Sequence, residues 1–275
     1  MIVAGIVVLI AAAMFVFELR YPGRSFAKVR GWWWRAAVLN GMQAAMVFIA
    51  GSVWDGWMLE RRPWVTEGLG ALGGAFAGYF AITFVFYWWH RHRHTVPILW
   101  RVFHQVHHSP SRIEVVTSFY KHPLEVLVNG VLSSAILYFL VGLSPEAAVG
   151  AILLSGLAEL FYHWNVRTPY WIGFLFQRPE SHCVHHERGV HFRNFSDLPI
   201  WDMMFGTFHN PREFDSKCGF EPEQERRLGR MLLAFDVLAA PRASMPDVMK
   251  AAEWSPDAPK RRRRWSALPL AGGDR

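Results

Sequence analysis

Residues 68–94 read GLGALGGAFAGYFAITFVFYWWHRHRH. From Gly68 to Trp89 no residue is charged, and five alternating histidines and arginines follow at once. An uncharged run of this length is sufficient to cross a bilayer as a helix. No strand precedes its glycines, so they are not a nucleotide loop; small residues at this density let helices pack closely in lipid. His90 and His94 are four apart and share a helical face, while His92 points elsewhere. The stretch reads as a membrane helix that delivers a pair of imidazoles at its end.

The rest of the chain extends that reading. Its 275 residues are 52% hydrophobic and 15% aromatic, with 14 Trp, too apolar for a soluble domain of this size. Four further windows are long enough to span: Ile2 to Leu19, Ala36 to Val53, Leu124 to Leu143 and Ala147 to His163. The first lacks a basic start and reads as a span rather than a cleaved leader. Basic residues crowd the link after the first span (Arg20, Arg24, Lys28, Arg30, Arg35), the link after the third (Arg91, Arg93, Arg101, Arg112, Lys121) and the tail, KRRRRW. By the positive-inside rule the N-terminus is expected outside, with every histidine cluster and the C-terminus cytoplasmic. Five spans are expected, or four with one re-entrant segment. GWWW at Gly31 to Trp34 fits an aromatic belt at the headgroups.

A net charge of +7 raises the question of nucleic acid, but the excess flanks the spans and fills the tail, where anionic lipid accounts for it. Cys183 and Cys218 form no C-x-x-C pair, so neither a disulfide framework nor a thiolate metal site is indicated. The expected organisation is a membrane domain over 1–220 and a polar, basic cytoplasmic tail over 221–275, whose MLLAFDVLAA is a candidate amphipathic helix.

Two further strings, HQVHHS from His104 and HCVHHE from His182, repeat an H-x-x-H-H spacing. On a helix this puts three imidazoles on one face, as though each triplet projected as a unit. His163 closes the fifth window. The inventory is His90, His94, His104, His107, His108, His163, His182, His185 and His186. That is too many imidazoles for one ion, and it points to two ions with open positions. Imidazole suits iron, zinc, copper and nickel alike. Ions at the cytoplasmic ends of apolar helices would meet a lipid from the bilayer and electrons from water, which favours redox chemistry at iron.

HRHRH, HQVHHS and HCVHH, followed by LPIWDMMFGTF, resemble the fatty acid hydroxylase and sterol desaturase superfamily of membrane non-haem di-iron enzymes. The likeness covers roughly Phe80 to Phe208. It implies an all-α membrane protein of four to five spans with a cytoplasmic helical cap, two irons on the nine histidines, and O2 as co-substrate. The implied reaction is hydroxylation of a lipid C–H bond, with desaturation on the same site as the alternative. No cytochrome b5-like or ferredoxin-like stretch is evident, so a reductase, ferredoxin or cytochrome b5-like protein is expected as electron donor. The short chain without an organelle signal leans toward a bacterial inner membrane over the endoplasmic reticulum.

Other polar residues near the clusters are candidate supports. Some family members carry histidine where this chain has Glu159, whose carboxylate would ligate metal, hold an imidazole, or merely face the basic cap. His122 either adds a ligand or caps the helix that begins near Pro123. Asn165 and Asp202 are expected to hydrogen-bond ligand imidazoles, with a plain salt bridge as the other reading of Asp202. His191 and His209 fall outside the ligand spacing and read as structural or exposed. Two rival classes fit poorly. An intramembrane zinc hydrolase needs H-E-x-x-H, and HERGVH spaces its histidines five apart. A metal or haem carrier would set its ligands within the spans.

Overall fold

In a computed structural model, which describes residues 2–66 and 68–239, each of the five apolar windows is a helix. These are α1 (Ile2–Arg20), α2 (Trp32–Ala50), α3 (Gly70–Thr95), α4 (Pro123–Ala135, continued by a π-helical Ile136–Val141) and α5 (Pro145–His163). Among the described residues there is no strand, only an isolated bridge between Glu187 and Cys218. Among the described residues three helices, Gly70–Thr95, Pro123–Val141 and Pro145–His163, are long and apolar enough to cross a membrane, which marks a multi-pass membrane protein. α2 carries the polar Arg35, Asn40 and Gln43: Arg35 pairs with Glu225, and Asn40 donates to the Val116 carbonyl.

The helices pack through small residues. A methyl group on Gly78 of α3 would stand 2.7 Å from Leu137 and Leu143, and one on Gly150 of α5 would stand 2.7 Å from Ala75. The glycines of the opening stretch thus bring α3 and α5 into backbone approach. Tyr79, Ile82, Leu137, Ala147 and Ala151 form the core between α3, α4 and α5. Gly142 ends the π-helical turn at φ 75°, a conformation that costs glycine nothing.

The C-terminal ends of α3 and α5 and the N-terminal end of α4 lie together, since His90 and His94, His163, and Glu125 all reach the same histidine groups. Around this end fold a π-turn, Trp100–His104, running into helical Gln105–His108, and then α6 (Pro179–His185), α7 (Pro199–Met204) and α8 (Leu228–Leu232). One expectation is corrected here. Trp32 is not a headgroup anchor: it is 1% exposed and its indole N–H donates to Glu114, leaving only Trp33 and Trp34 exposed. Met231 and Val237 pack against Trp32, Val106 and Tyr120, and the first compact unit runs to Leu238. The remainder of the expected tail, from 240 on, lies outside the described residues.

Candidate metal centre

The two H-x-x-H-H motifs do not each serve one target. His90, His94, His104, His108 and His185 form one group, and His107, His163, His182 and His186 a second; within each, one nitrogen per ring lies within 4.8 Å of all the others. Each motif therefore splits, in opposite senses. The first sends His104 and His108 to the five-imidazole group and His107 to the other; the second sends His182 and His186 to the four-imidazole group and His185 to the other. Helical geometry explains the split. At about 100° per residue, i+4 lies some 40° from i while i+3 falls about 60° to the opposite side. The two motifs interlock where the His108 and His186 rings stack at 4.3 Å and 17°. The expectation that each triplet projects as one unit is thus replaced by an exchange of one imidazole each way.

The hydrogen bonds fix which nitrogen carries the proton. His90 Nδ1 donates to the Phe195 carbonyl (2.7 Å), His163 Nδ1 to Glu159 O (2.9 Å) and His185 Nδ1 to Arg193 O (2.8 Å). His182 Nδ1 donates to Gln177 Oε1 (2.8 Å), whose amide is oriented by its own N–H on Asn194 O. His104 Nδ1 donates to Glu125 Oε1 (3.1 Å). An oxygen of this kind only accepts, so each of these rings presents a lone pair at Nε2. Yet those nitrogens face one another, His90 to His104 at 2.9 Å and His163 to His182 at 3.0 Å. Two lone pairs at that distance repel unless a cation lies between them. Protonation is no remedy, because burial and then the neighbouring cationic groups push His104, His107, His108, His182 and His186 well below the usual imidazole range; burial takes His185 down to about 3.

A metal fits this arrangement. Nitrogens bound about 2.1 Å from one ion at right angles stand about 3.0 Å apart, against about 3.4 Å in a tetrahedron. The facing pairs, 2.9 to 3.1 Å with His108–His185 and His182–His186 included, match the former. Both ring nitrogens of His94 are buried without a hydrogen-bond partner, as a donor awaiting an ion would be. Five imidazoles in one group also exceed what a tetrahedral ion takes.

The supports are mostly not those expected. Glu159 places its carboxylate on Lys121, and only its main-chain carbonyl holds His163. His122 is the N-cap of α4: its Nδ1 accepts from Leu124 N–H at 3.0 Å, and its other nitrogen meets the Leu232 carbonyl. Asn165 touches no imidazole; it exchanges hydrogen bonds with the Arg24 backbone and receives Gly23 N–H. Asp202 makes no salt bridge and acts one step away, accepting from Phe195 N–H, Ser196 N–H and Thr207 Oγ1, and so fixing the loop whose Phe195 carbonyl holds His90. His92 and His209 are exposed. His191, by contrast, lies against the five-imidazole group, 5.1 Å from the His108 ring.

Three contributors went unread in the sequence. Glu125, fully buried, accepts from both Arg93 and His104. It is the lone acid of an apolar window, which is itself a signal of function in a membrane segment. Asn194, at φ 57°, pins the loop by donating to Ser181 O and His209 O and accepting from His209 N–H. Gln177 orients His182. The carbonyls of Arg193 and Phe195 leave no trace in side-chain type at all.

A cavity of about 230 Å³ adjoins both groups. His90, His104, His107 and His182 line it together with Ile82 and Phe86 of α3, Val126 of α4 and Ile152 of α5, so one space connects the imidazoles with the apolar spans. Lys121, Glu159, Tyr162 and Asp197 complete its polar wall. Burial, with Glu159 nearby, raises the Asp197 carboxyl to about 7.

The family model of fatty acid hydroxylase matches residues 75–207, which hold all nine imidazoles. The sphingolipid C4-hydroxylase of Schizosaccharomyces pombe is 29% identical over 156 residues, covering 55% of this chain and 52% of that protein. The alkylglycerol monooxygenase of Homo sapiens is 26% identical over 165 residues (58% and 35%), and the ornithine lipid hydroxylase of Rhizobium tropici 34% identical over 134 (46% and 39%). The match thus spans about half or less of each of these relatives. No solved structure matches the chain. With the family match lying over the histidine motifs, and relatives that are lipid hydroxylases and monooxygenases, the chain is similar to the fatty acid hydroxylase superfamily.

Proposed function

We propose that this protein is a membrane-bound non-haem di-iron oxidoreductase that hydroxylates a C–H bond of a lipid, using O2 and two electrons from a separate carrier. The observation that carries the reading is the pair of imidazole groups with lone pairs facing at 2.9 to 3.0 Å, beside a cavity that opens among apolar spans. Relatives named for hydroxylation of sphingolipid and ornithine lipid support the substrate class. His90, His94, His104, His108 and His185 would hold one iron, and His107, His163, His182 and His186 the other. Iron so held supplies the O2-activating redox chemistry that no side chain can. The chain's own part is to aim the Nε2 lone pairs through Nδ1–H bonds, to position an acyl segment against Ile82, Phe86, Val126 and Ile152, and to keep bulk water from the reacting carbon.

The electron donor would be a ferredoxin, a cytochrome b5-like protein or a reductase. The basic links favour a cytoplasmic histidine end, with a bacterial inner membrane as the setting. The experiment is turnover of iron-loaded protein in lipid nanodiscs under isotopically heavy O2, with products read by mass spectrometry. One heavy oxygen atom in a lipid product is expected. A product short of two hydrogens and without added oxygen would assign desaturation instead, and no O2-dependent product from the reduced, iron-loaded protein would overturn the proposal.

A further inference from the structure

Two aromatic side chains stand between the five-imidazole group and the surface. The Trp100 ring lies 5.4 Å from His94, 5.3 Å from His108 and 6.2 Å from His104. His191 lies 5.2 Å from Trp100 and stacks at 5.8 Å and 30° on His94. Both are half-buried, so each has one edge toward solvent and one toward the imidazoles. The four-imidazole group differs: all its rings are buried, and its aromatic neighbour, Tyr162, lines the cavity.

The Trp100–His191 contact also joins two surface segments into one face. Ile98 is 53% exposed and Phe192 64% exposed, and Arg101 and Arg193 flank them with no carboxylate partner among the described residues. From Tyr87 to Ile113 and from Arg188 to Ser196 the chain carries no acidic residue. An apolar centre flanked by two arginines suits a transient partner of opposite charge.

We infer that Trp100 and His191 are the point of electron entry, and that the face formed by Ile98, Arg101, Phe192 and Arg193 docks an acidic one-electron carrier protein. This rests on the redox reading of the centre. Each turnover takes RH, O2, two electrons and two protons to ROH and water; two carriers are oxidised by one electron each, and the protons come from water. Electron transfer weakens steeply with distance, and rings in van der Waals contact leave no solvent gap between the docked carrier and His94.

The test uses full-length, iron-loaded protein in nanodiscs and an acidic [2Fe–2S] ferredoxin as probe. Ferredoxin binding is measured by calorimetry at several salt concentrations, and reduction of the centre is followed with ferredoxin and, separately, with dithionite. The variant Arg101→Glu is expected to weaken ferredoxin binding at least about fivefold and to reduce its salt dependence, with iron content and dithionite reduction unchanged. Trp100→Leu should leave binding intact and slow reduction by ferredoxin at least about tenfold, and Trp100→Phe should restore most of it. Wild-type protein that fails to bind ferredoxin, or a reducible centre whose ferredoxin kinetics ignore these substitutions, overturns the entry point alone. A wild-type centre that dithionite does not reduce overturns the redox reading and the entry point with it.

Discussion

Replacing Glu125 by alanine tests how the five-imidazole group is held. Glu125 is 0% exposed and its partner Arg93 4%, and its Oε1 accepts from both Arg93 and His104 Nδ1. Beyond Glu125, Arg93 lies against the Trp89 ring, 5.5 Å away, and its Nε already lacks a partner. Removing the carboxylate leaves a buried guanidinium unpaired, a loss of about 3–5 kcal/mol. It also frees the His104 ring to take the other tautomer, which for such a ligand support costs about 10- to 100-fold in metal affinity. Thermal unfolding in detergent micelles reads the first effect and chelator competition the second. The double variant Arg93→Met/Glu125→Leu separates them, because deleting both charges should recover most of the stability while metal affinity stays low. Glu125→Ala within about 1 kcal/mol of wild type and with unaltered metal affinity would refute the assignment.

Three other outcomes follow from the geometry. His122→Ala should cost about 1 kcal/mol of stability through the lost cap and leave the metal content unchanged in elemental analysis, since His122 reaches neither group. Asn194→Ala removes three hydrogen bonds and puts alanine at φ 57°; it should cost about 2–4 kcal/mol and loosen His90 and His185, read as faster metal loss to chelator. Asp197 bears on pH: the folded chain keeps its proton up to about 7 while the unfolded chain releases it near the ordinary carboxylate value, so stability falls as pH rises between the two. Asp197→Asn should flatten that fall, leaving the variant more stable than wild type above pH 7 by up to about 4 kcal/mol in denaturation at fixed pH.

Much of this site was legible in the sequence because its chemistry is carried by side-chain type and spacing. His90 and His94 were read four apart at the end of an uncharged run, and they do share a group. The division of each H-x-x-H-H motif was not legible, although the angle between i+3 and i+4 permits it, because spacing says which face a residue takes and not what stands opposite that face. With a salt bridge as the other reading of Asp202, proximity in the chain suggests Asn165 and Asp202 as imidazole partners. Main-chain carbonyls of Glu159, Arg193 and Phe195 take that role instead, and every residue type has one. Trp32 looked like a headgroup anchor beside Trp33 and Trp34, but a helix turns by about 100° per residue, and that turn buries the first of the three against Glu114.

The central claim is that adjacent histidines of one motif serve different ions. It is tested by elemental analysis of protein purified from iron-replete cells as wild type, His107→Ala and His108→Ala. About two irons per chain are expected in the wild type, about one in His107→Ala, whose group falls from four imidazoles to three, and close to two in His108→Ala, whose group still has four. A single ion per chain in the wild type, or equal loss from the two neighbouring substitutions, would contradict it.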